Sequence, residues 1–298
     1  MQSLGTIVTA MITPFDERGD LDVAEAARLA RFLVARGNDG LVVAGSTGEG
    51  MTLDAHERNT LVRSVKDAVG TTATVIANVG TSDTRSTIRA AREAQEAGAD
   101  ALLVVVPPYS KPTQSGMLGH FGAVADATPL PVVVYNIPGR AASNMLPETL
   151  LELHRRHRNV LGVKESSGDL KQIATIVRDR APEFRVLAGD DHLFLPCLAV
   201  GADGVVGVAS HLCAPEFRAM LEAYRGGDVA KAAAIHASLL GLFDVLFATS
   251  NPIPIKWAMN AIGFKAGRCR SPLDELPAPI AERLAPFVAQ YRTAAAIA

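Results

Sequence analysis

Cysteine is scarce in this 298-residue chain, and so is any surplus of charge of one sign. Its three cysteines, Cys197, Cys213 and Cys269, are odd in number, widely spaced and form no CxxC pair. That speaks against a disulfide framework or zinc knuckle and predicts reduced thiols in the cytoplasm. The formal net charge is −2 and the sequence pI about 6.4. Such a balance leaves no electrostatic footprint for nucleic acid, and no polybasic run marks an anionic membrane surface. Unbroken apolar stretches such as 101–108 are too short to span a bilayer. No basic n-region precedes the first apolar run, which reads as a strand and turn, so neither a membrane span nor a signal peptide is expected. The seven histidines (His56, His120, His154, His157, His192, His211 and His236) show no metal-ligand spacing, and no metal is expected.

What the chain does have is a regular alternation. Short β-branched runs fall at 6–12, 40–44, 74–78, 101–106, 131–135, 160–164, 185–188 and 204–208, each nearly continuous in apolar residues. Parallel strands covered on both faces read this way. Between them lie amphipathic stretches such as 23–36, 54–68, 83–97 and 169–180, several opening on an Asp or a hydroxyl residue in cap position. Eight strands alternating with helices predict a closed (β/α)8 TIM barrel, with a doubly wound sheet as the alternative. Three turns echo one another: Gly37-Asn38-Asp39-Gly40, Gly98-Ala99-Asp100-Ala101 and Gly201-Ala202-Asp203-Gly204. Each places a helix-ending glycine before an Asp and a strand. Their separations fit whole multiples of a unit of about 30 residues. They lie at the helix-to-strand end and read as stability features. The barrel is expected to occupy residues 1–225, and residues 226–298, with helical patterns at 229–247, 253–262 and 278–291, a helical C-terminal extension.

In such a barrel the reactive groups project from the C-terminal ends of the strands. The sixth run ends Gly162-Val163-Lys164-Glu165-Ser166-Ser167-Gly168. An ammonium closing an apolar run is costly unless it is paired or gives up its proton, and a neutral lysine is a nucleophile toward ketones. The plain reading is a rim lysine paired with Glu165. After the fifth run, Tyr135 offers a proton relay and Arg140 a planar clamp for a carboxylate, against an aromatic lid and a surface arginine. Gly45-Ser46-Thr47-Gly48-Glu49-Gly50 presents N–H groups and hydroxyls to a small anion but matches no phosphate-loop pattern. Pro107-Pro108-Tyr109-Ser110-Lys111-Pro112 is a stiff loop presenting one tyrosine. Gly189 leaves room for a ligand beside the backbone, and Asp190 or Asp191 is expected to cap the helix that follows.

These segments in this order, from Thr9-Ala10-Met11-Ile12-Thr13-Pro14-Phe15 through GSTGE, YNIPGR, GVKESSGD and AGDD to Asn251-Pro252-Ile253-Pro254-Ile255-Lys256-Trp257, make essentially the whole chain similar to the dihydrodipicolinate synthase/N-acetylneuraminate lyase family of class I pyruvate aldolases. The resemblance implies a covalent imine on Lys164 with pyruvate and no separate cofactor. It gives Tyr135 the proton shuttle, and Ser46 a place in a relay between two tyrosines. Thr47 with loop N–H groups takes the pyruvate carboxylate. Gly189 and Val206 are further expected substrate contacts. Tyr109 matches a tyrosine that reaches into the neighbouring subunit's site, which implies a dimer, usually paired into a tetramer. Arg140 resembles the synthase branch, where it binds the carboxylate of aspartate semialdehyde.

The expected reaction joins pyruvate to that small aldehyde, the first committed step toward diaminopimelate and lysine. The alternatives are a paralogous aldolase or dehydratase acting on a 2-keto-3-deoxy sugar acid or sialic acid, a barrel isomerase binding phosphate on the loop 207–210, and a non-catalytic sensor. Two departures stand out. Ser46 replaces the threonine usual in the synthase branch. Ala55, Ser86 and Pro108 replace the histidine, acidic residue and aromatic ring that hold inhibitory lysine in regulated relatives, so lysine is not expected to inhibit.

Overall fold

The apolar runs become eight short parallel strands: β1 (Ile7–Ala10), β2 (Gly40–Val43), β3 (Thr74–Asn78), β4 (Ala101–Val105), β5 (Val132–Asn136), β6 (Val160–Glu165), β7 (Arg185–Ala188) and β8 (Gly204–Gly207). In the computed structural model, which describes residues 4–292, each strand pairs with the next and β8 pairs with β1, closing a barrel. The expected (β/α)8 barrel holds, with strand ends shifted by one or two residues. Closure leaves no open edge and therefore no unpaired row of backbone groups.

Strand alternation then divides the apolar residues between two cores. Val8, Val42, Ile76, Leu103, Val133 and Leu187 fill the lumen, while Ile7, Leu41, Val75, Leu102, Val134 and Val186 pack outward under the helices. Helix starts follow the side chains available: the carboxylates of Asp54, Asp83 and Asp169 accept amide hydrogens of the helices Ala55–Val69, Thr84–Glu96 and Leu170–Asp179.

The three echoed turns behave alike. Gly37, Gly98 and Gly201 all have φ between +93° and +97°, a backbone that other residues adopt at a cost. The aspartate two residues later reaches across to the amide of the preceding strand. Asp39 accepts from Ile7 at 2.9 Å, Asp100 from Val75 at 2.9 Å and Asp203 from Val186 at 2.8 Å. Each is also paired with a cation: Arg218, Lys66 and Arg180.

Beyond β8 and its helix Ser210–Arg225, the chain is helical at Val229–Leu246, Ile253–Ala261 and Ala278–Ala289. Leu239, Phe243, Ile255, Met259 and Leu284 join the outer barrel core. The helix Val229–Leu246 is long and apolar enough to cross a membrane by length and composition. Counting unbroken apolar runs misses it because Lys231, His236, Ser238 and Asp244 interrupt the run.

Candidate active site

An irregularity in the β5–β6 ladder sets the register here. Val132 pairs with Val160 but Val133 with Gly162, so the ladder continues with Tyr135 opposite Lys164 and Asn136 opposite Glu165. Lys164 and Tyr135 are each 5% exposed. The lysine Nζ lies 4.3 Å from the centroid of the Tyr135 ring. Glu165 points the other way, so the plain reading of a rim pair fails: strand alternation sends neighbouring side chains to opposite faces. Its carboxylate accepts from Asn136 Nδ2 at 3.0 and 3.1 Å, from the Ser167 amide and from Gln172 Nε2. Burial raises the Glu165 carboxyl above its ordinary range, and these donors pull it back. Lys164 pairs with no carboxylate among the described residues. Its charge acts instead on Asp190, whose carboxyl burial raises and Lys164 opposes.

At the C-terminal mouth opens a cavity of about 660 Å³, whose lining includes neither Lys164 nor Tyr135. Ser46, Val105, Pro108, Ile137 and Arg140 line it, joined by Arg58 from the helix Ala55–Val69. Arg140 sits on a single helical turn, Pro138–Ala141, and is exposed. Its Nη2 reaches the main-chain oxygen of Asn251 at 3.5 Å. Thr47 is buried, and its Oγ1 accepts a hydrogen bond from Asn251 Nδ2 at 2.9 Å. The amides of Ser46 and Thr47 donate to no acceptor among the described residues. Two free N–H groups beside hydroxyls form a place for a carboxylate.

The other expected residues divide. Gly189 stands against Ser166: a Cβ built on it would meet Ser166 Oγ at 1.8 Å, and its amide donates to the Glu165 oxygen at 2.8 Å. Its lack of a side chain is thus already demanded by Ser166. Val206 is buried in the lumen opposite Val8. Tyr109 follows the cavity-lining Pro108 but is not itself part of the lining; it is 93% exposed, with φ +70°.

Asp191 overturns two expectations. Its buried carboxylate accepts the amides of Val208 at 3.1 Å and Ala209 at 2.9 Å, at the head of the helix after β8, so it does not cap the helix that follows it in sequence. Burial lifts its carboxyl to about 6. It also occupies the loop amides on which a phosphate would sit in an isomerase of this fold.

Sequence reasoning missed the residues that hold the mouth from the tail. Lys256 Nζ meets Glu49 at 2.6 Å, both buried, and lies 4.1 Å from the Phe15 ring centroid. Arg270 adds its amide to Glu49 at 2.7 Å and pairs its guanidinium with Glu57. Glu49 belongs to the Ser46–Thr47 loop, so the tail clamps that loop from behind. Asn251 and Thr47 are 204 positions apart, and no local pattern brings them together.

Comparison with known proteins gives one answer. Residues 3–290 match the dihydrodipicolinate synthetase family. A 4-hydroxy-tetrahydrodipicolinate synthase of Heliobacterium modesticaldum is 48% identical over 271 residues, covering 91% of this chain and 90% of the relative. The crystal structure of a dihydrodipicolinate synthase from Bacillus anthracis superposes with a TM-score of 0.94 at 39% identity, covering 97% of this chain and 99% of that one. The enzyme of Cyanidioschyzon merolae with lysine bound also gives 0.94, at 41% identity and 99% of both chains. The chain belongs to the dihydrodipicolinate synthetase family.

Proposed function

We propose that this protein is a 4-hydroxy-tetrahydrodipicolinate synthase, a Schiff-base lyase that condenses pyruvate with aspartate semialdehyde. The observation that carries the reading is Lys164, buried and in no ion pair among the described residues, with its Nζ 4.3 Å from the centroid of the Tyr135 ring. A primary amine held this way attacks the pyruvate carbonyl and water leaves; loss of a methyl proton gives an enamine that adds to the aldehyde carbon, whose oxygen takes up a proton. The amine of the aldehyde substrate then displaces Lys164 from the imine carbon, closing the ring and freeing the lysine. Tyr135 is placed to carry protons in these steps. Thr47 and the Ser46 and Thr47 amides receive the pyruvate carboxylate, and Arg140 receives that of the aldehyde. The imine is covalent, so the chemistry calls for no cofactor.

Tyr109 belongs in this reading to the site of a second copy. Its exposure, on a loop whose Pro108 lines this chain's own cavity, supports a homodimer, paired further into a tetramer. Free thiols at Cys197, Cys213 and Cys269 support a cytoplasmic setting.

The reading is tested by borohydride reduction in the presence of pyruvate, followed by intact-mass and peptide analysis. A reduced pyruvyl adduct on Lys164, lost in Lys164→Ala, is expected. A coupled assay then offers aspartate semialdehyde beside a panel of 2-keto-3-deoxy sugar acids. Faster turnover of any sugar acid would overturn the substrate assignment, and the absence of an adduct would overturn the Schiff base.

A further inference from the structure

We propose that Asn251, in the C-terminal extension, is a positioning residue that fixes the polarity of the Thr47 hydroxyl, turning its hydrogen toward the carboxylate of the keto acid. The inference rests on the reading above, in which Thr47 meets that carboxylate. Asn251 is 8% exposed and Thr47 3%. The amide Nδ2 donates to Thr47 Oγ1 at 2.9 Å. A hydroxyl has one hydrogen and two lone pairs, and an amide –NH₂ can only donate. With one lone pair taken by Asn251, the threonine hydrogen has to seek an acceptor elsewhere. Among the described residues Thr47 Oγ1 makes no second hydrogen bond, which leaves its hydrogen for a ligand. A hydroxyl that donates stabilises an anion, and one turned the other way presents lone pairs to it.

The same residue accepts from Arg140 Nη2 through its main-chain oxygen, at 3.5 Å. It therefore touches both groups placed to receive substrate carboxylates. Five residues on, Lys256 grips Glu49 at 2.6 Å, which fixes the tail to the loop that carries Thr47. The NPIPIKW segment, which the barrel chemistry alone leaves without a role, gains one here.

Two variants separate polarity from shape. Asn251→Asp keeps the outline of the side chain but only accepts, so above its pKa it captures the Thr47 hydrogen and adds a negative charge. Asn251→Ala leaves the hydroxyl free to turn. Half-saturating pyruvate is read from the borohydride-trapped Lys164 adduct, which needs no aldehyde, and again as KM. The expected order of weakening is wild type, then Ala by a few-fold, then Asp by roughly 10- to 100-fold, with kcat at saturating pyruvate changed less. The Asp deficit should shrink as pH falls through that carboxyl's pKa, while the Ala deficit should not. An Asp variant that binds pyruvate as well as the Ala variant at neutral pH would overturn the proposal, since shape alone would then decide. Should Asn251→Asp fail to fold, a double-mutant cycle carries the test. In a Thr47→Val background Asn251→Ala is expected to add no further loss, and additive losses overturn the idea. A wild type that forms no adduct sinks the Schiff-base reading itself, and this inference with it.

Discussion

Lys164 was legible because an ammonium closing an apolar strand needs an explanation, and the resemblance supplied the chemistry. What it pairs with was not legible. Glu165 is its neighbour in sequence, yet the strand turns it outward to Asn136 and Gln172. Tyr135 comes alongside through the β5–β6 register, which no local pattern discloses. With the ring this close, Tyr135→Phe should keep pyruvate binding and slow turnover by roughly 10²–10⁴-fold, the scale of a lost proton-transfer group. Adduct formation compared with steady-state kcat measures it, and an unchanged kcat would return Tyr135 to packing. A second residue-scale test concerns acid. His211 is buried, takes the Ile12 amide at 3.1 Å and bonds the Val208 oxygen at 2.8 Å, and burial drives its imidazole down to about 4. The unfolded chain binds this proton near pH 6.5 while the fold refuses it until about 4. His211 thus costs stability as pH falls through that window, by about 3 kcal/mol at most. Asp191, raised to about 6, acts in the opposite sense, because its stabilising proton is lost as pH rises from 3.8 to 6. The two largely mask each other in the wild type. The stability advantage of the wild type over His211→Gln should therefore shrink between pH 7 and 4, as read by denaturant unfolding, and a constant difference would exclude His211 as the source.

At the scale of elements, the echoed Gly-x-Asp turns were read as stability features, and the contacts explain how. Each aspartate ties the strand it precedes to the amide of the strand before and to a cation on a covering helix or, for Arg180, just past its end. Asp100 does this with Val75 at 2.9 Å and Lys66 at 2.7 Å. Asp100→Ala leaves a buried amide and a half-buried ammonium without their acceptor, at a cost of about 1–3 kcal/mol. Denaturant titration should show that loss with KM for pyruvate unchanged, because the turn lies at the barrel end opposite the mouth. A shift in KM would mean that the turn transmits to the site. The helix Val229–Leu246 was legible as a helix, but four polar residues break up its apolar composition, and the barrel takes Leu239 and Phe243 from it into the core.

For the whole molecule, regulation can be argued from the groups available. The positions that resemble the lysine-binding cleft of inhibited relatives hold Ala55, Ser86 and Pro108. The two acids near them in sequence are already engaged: Glu49 with Lys256 and Arg270, and Asp83 with the Ser86 amide at 2.7 Å. Arg58 adds a guanidinium to the cavity wall. An ammonium there would meet the like charge of Arg58, while Glu49 is already neutralised by Lys256, which disfavours binding. Lysine at millimolar concentration should leave the rate unchanged at sub-saturating pyruvate. Half-inhibition below about 1 mM, roughly 4 kcal/mol of binding, would reveal a site built from other residues.

The sequence by itself determined the barrel, since eight buried apolar runs alternating with amphipathic helices have few ways to cover both faces of a parallel sheet. The candidate lysine, tyrosine and arginine could also be placed at their strand ends from the chain alone. Which groups meet is set by packing across the whole fold. A β5–β6 slip puts Lys164 level with Tyr135, a chain return across 204 positions brings Asn251 to Thr47, and Asp191 fills amides on a loop it does not belong to. Periodicity reports the face a residue takes on its own element. It carries no record of register between elements or of where a long tail comes back, because those follow from packing that the whole chain has to satisfy at once.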